Sequence, residues 1–148
     1  VGALFIAFLF NQTSAFSHLT SNGFLAGIAE HKLSRPSQLV IFEGIIANIF
    51  VNIAILSYLL LKNSTAKIWI VISAIYMFVF LTNEHLAANF ASFSLVAFNK
   101  IATQIEVFNL SNILRHFSIT FLANWIGGGL LIGLSYAFLN RDEDTYTD

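Results

Sequence analysis

The sequence predicts an all-α, polytopic membrane protein, and three observations support that prediction. Of the 148 residues, 57% are hydrophobic and only 10% are charged, whereas about 25% of the residues are charged in an average soluble domain. Two stretches stay apolar for the roughly 20 residues that a helix needs to cross the hydrocarbon core of a bilayer. The single proline and the 16 phenylalanines complete a composition typical of lipid-embedded helices.

The same composition excludes several classes of protein. A net charge of −1 leaves no basic surface of the kind that binds nucleic acid. The absence of cysteine excludes disulfides and thiol nucleophiles. Neither the His-Glu-x-x-His nor the Gly-x-Ser-x-Gly pattern occurs in the sequence, so we expect no enzyme activity and neither a metal nor a cofactor.

The first predicted element is a partial helix over residues 1–17. Residues 1–10 are wholly apolar, yet ten residues of helix extend only about 15 Å, half of the hydrocarbon core. We interpret the segment as the end of a longer transmembrane helix, so the chain is expected to be truncated at its N-terminus. A signal peptide is less favoured, because no basic residue precedes Lys32.

Two continuous transmembrane helices are predicted farther along the chain, at 37–61 and at 117–139. The first stretch is mostly apolar, with Glu43, Asn48 and Asn52 as its main interruptions, and the second carries no charge. Both are long enough to span a bilayer.

The remaining segments are expected to lie outside the hydrocarbon core. Residues 99–116 have apolar side chains at helical spacing and are expected to lie along the membrane surface. Residues 141–148 form an acidic, soluble tail, which leaves a single transmembrane domain over 1–140. Basic residues are divided almost equally between the two predicted sides, so charge does not predict the orientation of the chain.

Residues 68–98 are predicted to form a helix that is broken in the middle. A continuous helix of this length would extend about 46 Å, and the centre of the stretch is polar. We therefore predict two half-helices, 68–81 and 90–98, that meet at an unwound segment. Irregular backbone at membrane depth must face protein or water, and broken helices of this kind line the substrate sites of transporters.

Ionisable and amide side chains at membrane depth are the candidate functional residues, because such groups are expensive there and often mark transport routes. His85 and Glu84 lie at the predicted break. Three Ala-Asn pairs add the amides of Asn48, Asn89 and Asn124. The small alanine permits close approach of backbones, and the amide can bond a broken backbone or a passing anion. Taken alone, each asparagine more often ties helices together, and Glu84 can equally turn toward a neighbouring helix end.

Other conspicuous residues have a simple structural interpretation. Phe78 is most simply a core residue, since phenylalanine is abundant throughout the chain. The glycines of the last helix, at Gly127, Gly128, Gly129 and Gly133, are most simply a face on which another helix packs closely.

Four motifs, in order and at family spacing, resemble the formate/nitrite transporter family of pentameric anion channels. They are Glu30-His31-Lys32 ahead of the family's fourth helix, Gly44-Ile-Ile-Ala-Asn48 within that helix, Glu84-His85-Leu-Ala-Ala-Asn89-Phe in its broken fifth helix, and Asn124-Trp-Ile-Gly-Gly-Gly-Leu-Leu-Ile-Gly-Leu-Ser-Tyr136 in its sixth. Residues 1–4 resemble the interior of the third helix. The resemblance therefore covers the third to sixth helices, and the first two and part of the third are absent from the chain.

The chain also departs from the family pattern at three places. Thr82 and Asn83 stand where the family usually has Gly-Phe, and Glu43 stands where members often have arginine or an apolar residue. The stretch His116-Phe-Ser-Ile-Thr120 replaces the usual Asn-Leu-Ile-Pro-Val at the start of the sixth helix. These changes indicate a divergent member.

The resemblance implies an aquaporin-like bundle with a pore-lining broken helix, assembled as a homopentamer in the plasma membrane. It implies transport of small monovalent anions or their weak acids, such as formate or nitrite. By position, Lys32 attracts the anion, His85 shares a proton with it, and Phe78 contributes to an apolar constriction that favours the neutral acid. Histidine suits this role because its unperturbed pKa is about 6.5. The implied substrate-route residues are Lys32, Asn48, Phe78, Glu84, His85, Asn89 and Asn124.

One alternative stays open at this point: a non-transporting or inactive helical membrane protein. The departures from the family pattern and the missing front half motivate it. The upstream sequence would discriminate, because a channel of this family needs two more spans and a second polar break.

Overall fold

The computed structural model describes residues 2–13, 23–81 and 83–141, and every regular element in those ranges is helical. Its helices are α1, Gly2–Asn11; α2, Phe24–Leu33; α3, Ser37–Leu60; α4, Ser64–Phe80; and α5, Leu86–Ala97. A 3₁₀ helix, Lys100–Gln104, leads to α6, Leu110–Trp125, which continues through a π-helical stretch, Ile126–Leu134, into α7, Ser135–Leu139. The all-α fold class is confirmed. The first helix was predicted over 1–17, but α1 ends at Asn11 and residues 12 and 13 are not helical. Residues 1 and 14–17 of that prediction, Thr82, and residues 142–148 of the predicted tail lie outside the described ranges.

Two helical segments have the length and composition to cross a membrane. They are α3, with 24 residues, and the continuous helix Leu110–Leu139, with 30. Large apolar side chains are exposed along the helices: Phe42 on α3 is 66% exposed and Trp69 on α4 is 65% exposed. An apolar surface of this kind suits contact with lipid rather than with water.

The predicted break in the fifth-helix motif is present. The first half, α4, ends at Phe80 and the second half, α5, begins at Leu86, so His85 belongs to neither helix. The second half-helix was expected to begin at 90, and this bound is wrong. Asn89 therefore lies in the first turn of α5 rather than in the unwound segment.

Two helices begin earlier than predicted because asparagine side chains cap them. α4 begins at 64 instead of 68, since Asn63 Oδ1 accepts a hydrogen bond from the backbone N–H of Ala66 at 2.9 Å. α6 begins at 110 instead of 117, since Asn109 Oδ1 accepts one from the N–H of Asn112 at 3.0 Å. Such caps satisfy N–H groups that the first turn leaves unpaired. The expected surface segment 99–116 is thus a 3₁₀ helix followed by the start of α6.

The helices form two compact units, where the sequence analysis expects one domain. The first unit holds the described residues of Val1–Val40 together with Leu86–Ile119. The second holds Ile41–His85 and the described residues of Thr120–Asp148. The core of the first unit combines side chains of α2, α5 and the 3₁₀ region: Ala26, Ala29, Leu33, Phe93, Val96, Ile101 and Ile105.

Arg115 connects three elements of the first unit. Its Nη2 donates to the backbone oxygen of Leu33 at 2.8 Å, and its Nη1 donates to Ser37 Oγ at 3.0 Å. The Leu33 carbonyl is among the last of α2, which the helix itself leaves unpaired. The guanidinium of α6 therefore fixes the turn between α2 and α3.

The second unit is held by close approach of backbones at glycine. A Cβ on Gly127 would collide with the carbonyl oxygen of Ile45 in α3. A Cβ on Gly44 would stand 2.7 Å from Ala123 Cβ in α6. The packing role expected of the glycines holds for Gly127 against α3.

Gly127→Ala is expected to lower the free energy of unfolding by about 1–3 kcal/mol, the usual cost of an overpacked core. The clash is with backbone, which cannot rotate aside. Thermal unfolding of the detergent-solubilised protein measures the effect. Gly27→Ala in α2 is the matched control, because nothing lies within 4 Å of a Cβ there and alanine favours a helix. Equal unfolding temperatures for the two variants would contradict the packing argument.

Candidate functional site

The Asn124 side chain is buried in the second unit and joins three elements. Its Nδ2 donates to the backbone oxygens of Gly44 at 2.9 Å and of Glu84 at 3.0 Å. Asn48 Nδ2 in turn donates to the backbone oxygen of Asn124 at 2.6 Å. One amide thereby holds the unwound segment between α4 and α5 against α3 and α6.

This arrangement explains why the asparagines follow alanines. Ala47 is 0% exposed and Ala123 is 1% exposed. Each small side chain lets neighbouring helices pack closely, while the asparagine that follows it supplies an amide. An unwound segment carries backbone carbonyls that no helix satisfies, and at membrane depth those groups need protein donors. The bond from Asn124 to the Glu84 carbonyl serves that purpose, and its bond to the Gly44 carbonyl ties the same amide to α3. The tying role left open by the sequence therefore fits the contacts of Asn124 and of Asn48.

Asn52 extends this polar row along α3. Its Nδ2 donates to the backbone oxygen of Asn48 at 2.8 Å. A Cβ on Gly128 would stand 2.8 Å from Asn52 Nδ2 and 3.2 Å from Asn48 Cγ. The second glycine of the last helix thus leaves room for two asparagine side chains, which the predicted apolar span did not suggest.

His85 and Phe78 lie together in the second unit. Their ring centroids are 5.6 Å apart and their planes are 84° from parallel, an edge-to-face contact. His85 is half-buried, and among the described residues no hydrogen bond to its imidazole is formed. No described residue therefore occupies its ring nitrogens by a hydrogen bond, and the Phe78 ring lies on one side of it.

Glu84 is completely buried, next to His85 in the unwound segment. Its backbone oxygen accepts the bond from Asn124. The unwound segment is thus anchored through its main chain one residue before the histidine.

The other two candidate residues belong to the first unit. Asn89 pairs with His116: Asn89 Nδ2 and His116 Nε2 are 3.0 Å apart, and both residues are 0% exposed. Lys32 is half-buried in the last turn of α2, beside a contact of 3.4 Å between Arg35 Nη2 and His31 Nδ1. The second unit therefore brings together Asn48, Phe78, Glu84, His85 and Asn124.

Sequence reasoning missed two polar residues of α6 that the structure buries, His116 and Thr120. Asn112, His116, Thr120 and Asn124 repeat every four residues and share one face of the helix. That periodicity could have revealed a polar face of α6. The predicted helix begins at 117, however, and so leaves out Asn112 and His116. Asn83 and Thr120 are buried, and neither Asn83 Nδ2 nor Thr120 Oγ1 has a hydrogen-bond partner in the described part of the chain.

Within the described ranges no group of three His, Asp or Glu side chains could hold a metal ion.

A family model described as formate/nitrite transporter matches residues 1–138. The chain belongs to the formate/nitrite transporter family. An uncharacterised transporter of Bacillus subtilis is 27% identical over 143 residues, which cover 97% of this chain and 55% of the relative. A formate-nitrite transporter of Plasmodium falciparum is 29% identical over 152 residues, covering 97% and 47%. The chain thus spans about half the length of the curated relatives it matches.

A solved structure described as an FNT family ion channel has the same fold. It superposes with a TM-score of 0.84 over 94% of this chain and 54% of that chain, at 24% sequence identity. The resemblance stated from the four motifs is therefore confirmed. The family is one of membrane transporters and not of enzymes, as the sequence analysis expects.

Proposed function

We propose that this chain forms part of a channel or transporter for small monovalent anions or their weak acids, of the formate and nitrite class. The observation that carries the proposal is the position of His85. It lies in the unwound segment, half-buried, edge-on to Phe78 at 5.6 Å, and without a hydrogen bond to any described residue. A titratable group so placed can exchange a proton with a solute that reaches it.

The chemistry follows from the cost of desolvation. A monovalent anion is expensive to place against apolar side chains such as Phe78, whereas its protonated acid is not. A histidine at this point converts one form into the other by sharing its proton. Lys32 contributes at a distance, since a positive charge raises the local concentration of anions.

The asparagines have a supporting role in this proposal. Asn48 and Asn124 use their amide N–H groups on backbone oxygens, so they hold the unwound segment in place and thereby position His85. Asn89 acts in the first unit through its contact with His116. Assembly as a homopentamer in the plasma membrane belongs to the same proposal and is supported by family membership.

Uptake into proteoliposomes by the full-length protein tests the function. Formate, nitrite, hydrosulfide and lactate are compared, with a pH-sensitive dye inside the vesicles. We expect formate and nitrite uptake well above that of protein-free vesicles, accompanied by acidification of the lumen. Absence of flux for every solute would instead favour the alternative of a non-transporting membrane protein.

A further inference from the structure

Two side chains of the second unit are buried without satisfying their polar atoms. Asn83 is 7% exposed and Thr120 is 0% exposed. Within the described ranges, Asn83 Nδ2 and Thr120 Oγ1 make no hydrogen bond. Buried polar groups in native proteins are nearly always bonded, and an exception calls for a water, an ion or a ligand as the missing partner.

Asn83 and Thr120 each lie close along the chain to one partner of the same hydrogen bond. Asn124 Nδ2 donates to the backbone oxygen of Glu84 at 3.0 Å. Asn83 directly precedes Glu84 in the unwound segment, and Thr120 precedes Asn124 by about one turn on the same face of α6. The fold therefore places an amide and a hydroxyl beside the junction of the unwound segment with α6, and Asn83 is two residues from His85 along the chain.

The hydroxyl of Thr120 is unusual for its position. A buried threonine in a helix commonly bonds the carbonyl four residues earlier, and Thr120 does not bond the His116 carbonyl or any other described group. The two asparagine amides also differ. The Asn124 amide donates to two carbonyls, whereas the Asn83 amide donates to no described group. These two groups are the donors of the junction that the fold itself does not use.

We propose that Asn83 and Thr120 form a specificity site for small oxyanions with two acceptor oxygens. An asparagine amide can only donate through Nδ2, and a threonine hydroxyl can also donate. Two donors from different elements match a carboxylate or nitrite, whose two oxygens each accept one bond. A hydrosulfide ion offers one sulfur, which is a weak acceptor. The site rests on the proposed function and assigns it a preference for formate and nitrite over hydrosulfide.

Flux measurements on the full-length protein test this site with isosteric variants. Thr120→Val and Asn83→Leu each remove one donor, and Thr120→Ser is the matched control that keeps the hydroxyl. We expect each removal to lower the ratio of formate to hydrosulfide flux about tenfold, as for loss of a hydrogen bond to a charged group. The serine variant should keep the wild-type ratio. The unfolding temperature of Thr120→Val should not fall, because the lost hydroxyl had no partner in the fold.

A second measurement separates this site from the transport function. Formate should raise the unfolding temperature of the detergent-solubilised protein, and the rise should be lost in Thr120→Val. Wild-type flux with an unchanged ratio in both variants would overturn the site and leave the proposed function intact. Equal loss of flux for all solutes would also overturn it, because the groups would then be structural. If the wild type carries no anion, the proposed function fails, and the formate-dependent thermal shift alone decides the site.

Discussion

Replacing Asn124 by aspartate is expected to prevent stable folding of the protein. The substitution keeps the shape of the side chain but puts an oxygen where Nδ2 now donates to the Gly44 and Glu84 carbonyls at 2.9 and 3.0 Å. The Gly44 carbonyl lies inside α3 and keeps its place in the helix, whereas loss of the bond to the buried Glu84 carbonyl costs about 1–3 kcal/mol. The new carboxylate also repels both. We expect little protein to survive solubilisation, as measured by size-exclusion chromatography and thermal unfolding.

Asn63→Asp is the control for this substitution. Asn63 uses its oxygen, not its amide, to cap α4, so aspartate preserves the bond and adds a favourable charge at a helix N-terminus. Lower pH should partly restore the Asn124→Asp protein, since a protonated carboxyl can donate to one of the two carbonyls. Normal stability of Asn124→Asp at neutral pH would show that the junction does not depend on this amide.

The break in the fifth-helix motif could be predicted because it depends on length and local polarity. A polar centre within 31 residues of an otherwise apolar stretch leaves few alternatives. The first residues of α4 and α6 were predicted less accurately. Each start depends on one capping residue, Asn63 or Asn109, and a single asparagine is a weak signal beside a long apolar stretch. α2 was missed for a related reason. It is a ten-residue helix, too short to give a spanning signal, and tertiary packing of Leu33 and its neighbours stabilises it.

The site was predicted in its residues more than in its contacts. The family motifs contain His85 and Asn124, the resemblance adds Phe78 by position, and all three belong to one unit. Which groups an amide bonds depends on the path of the backbone, so the donation from Asn124 to Glu84 could not be derived from spacing. Asn83 and Thr120 were visible only as departures from the family pattern. Their burial, which gives them chemical meaning, is a property of the fold.

The π-helical stretch had no sequence signal beyond its glycines. Ile126–Leu134 forms nine residues of wide turns, whereas single π-bulges are the usual form. Its three consecutive glycines add no Cβ where space is short: Gly127 lies against Ile45, Gly128 against Asn48 and Asn52, and Gly129 against Trp125. The widened turns then continue into α7 and preserve a long spanning helix.

His85→Asn is expected to leave folding and assembly intact while changing the pH dependence of transport. Among the described residues the imidazole makes no hydrogen bond, and its contact with Phe78 is between rings, so asparagine removes little that stabilises the fold. An amide does not titrate near neutral pH. The variant should therefore lose weak-acid uptake or become an anion leak that does not respond to pH.

The pH dependence of formate uptake distinguishes a proton-exchanging His85 from a structural one. Uptake is measured from about pH 5 to pH 8, which spans the usual titration of histidine. Wild-type uptake should rise toward acid pH, because protonated imidazole is then available to the arriving anion, and the profile of His85→Asn should be flat. His31→Asn is the matched control: its imidazole is exposed on α2, so the wild-type profile should persist. A contrary result would be a His85→Asn protein that assembles poorly while its surviving fraction keeps the wild-type pH profile. His85 would then have a structural role, and the solute would have to gain its proton from solvent before it enters the protein.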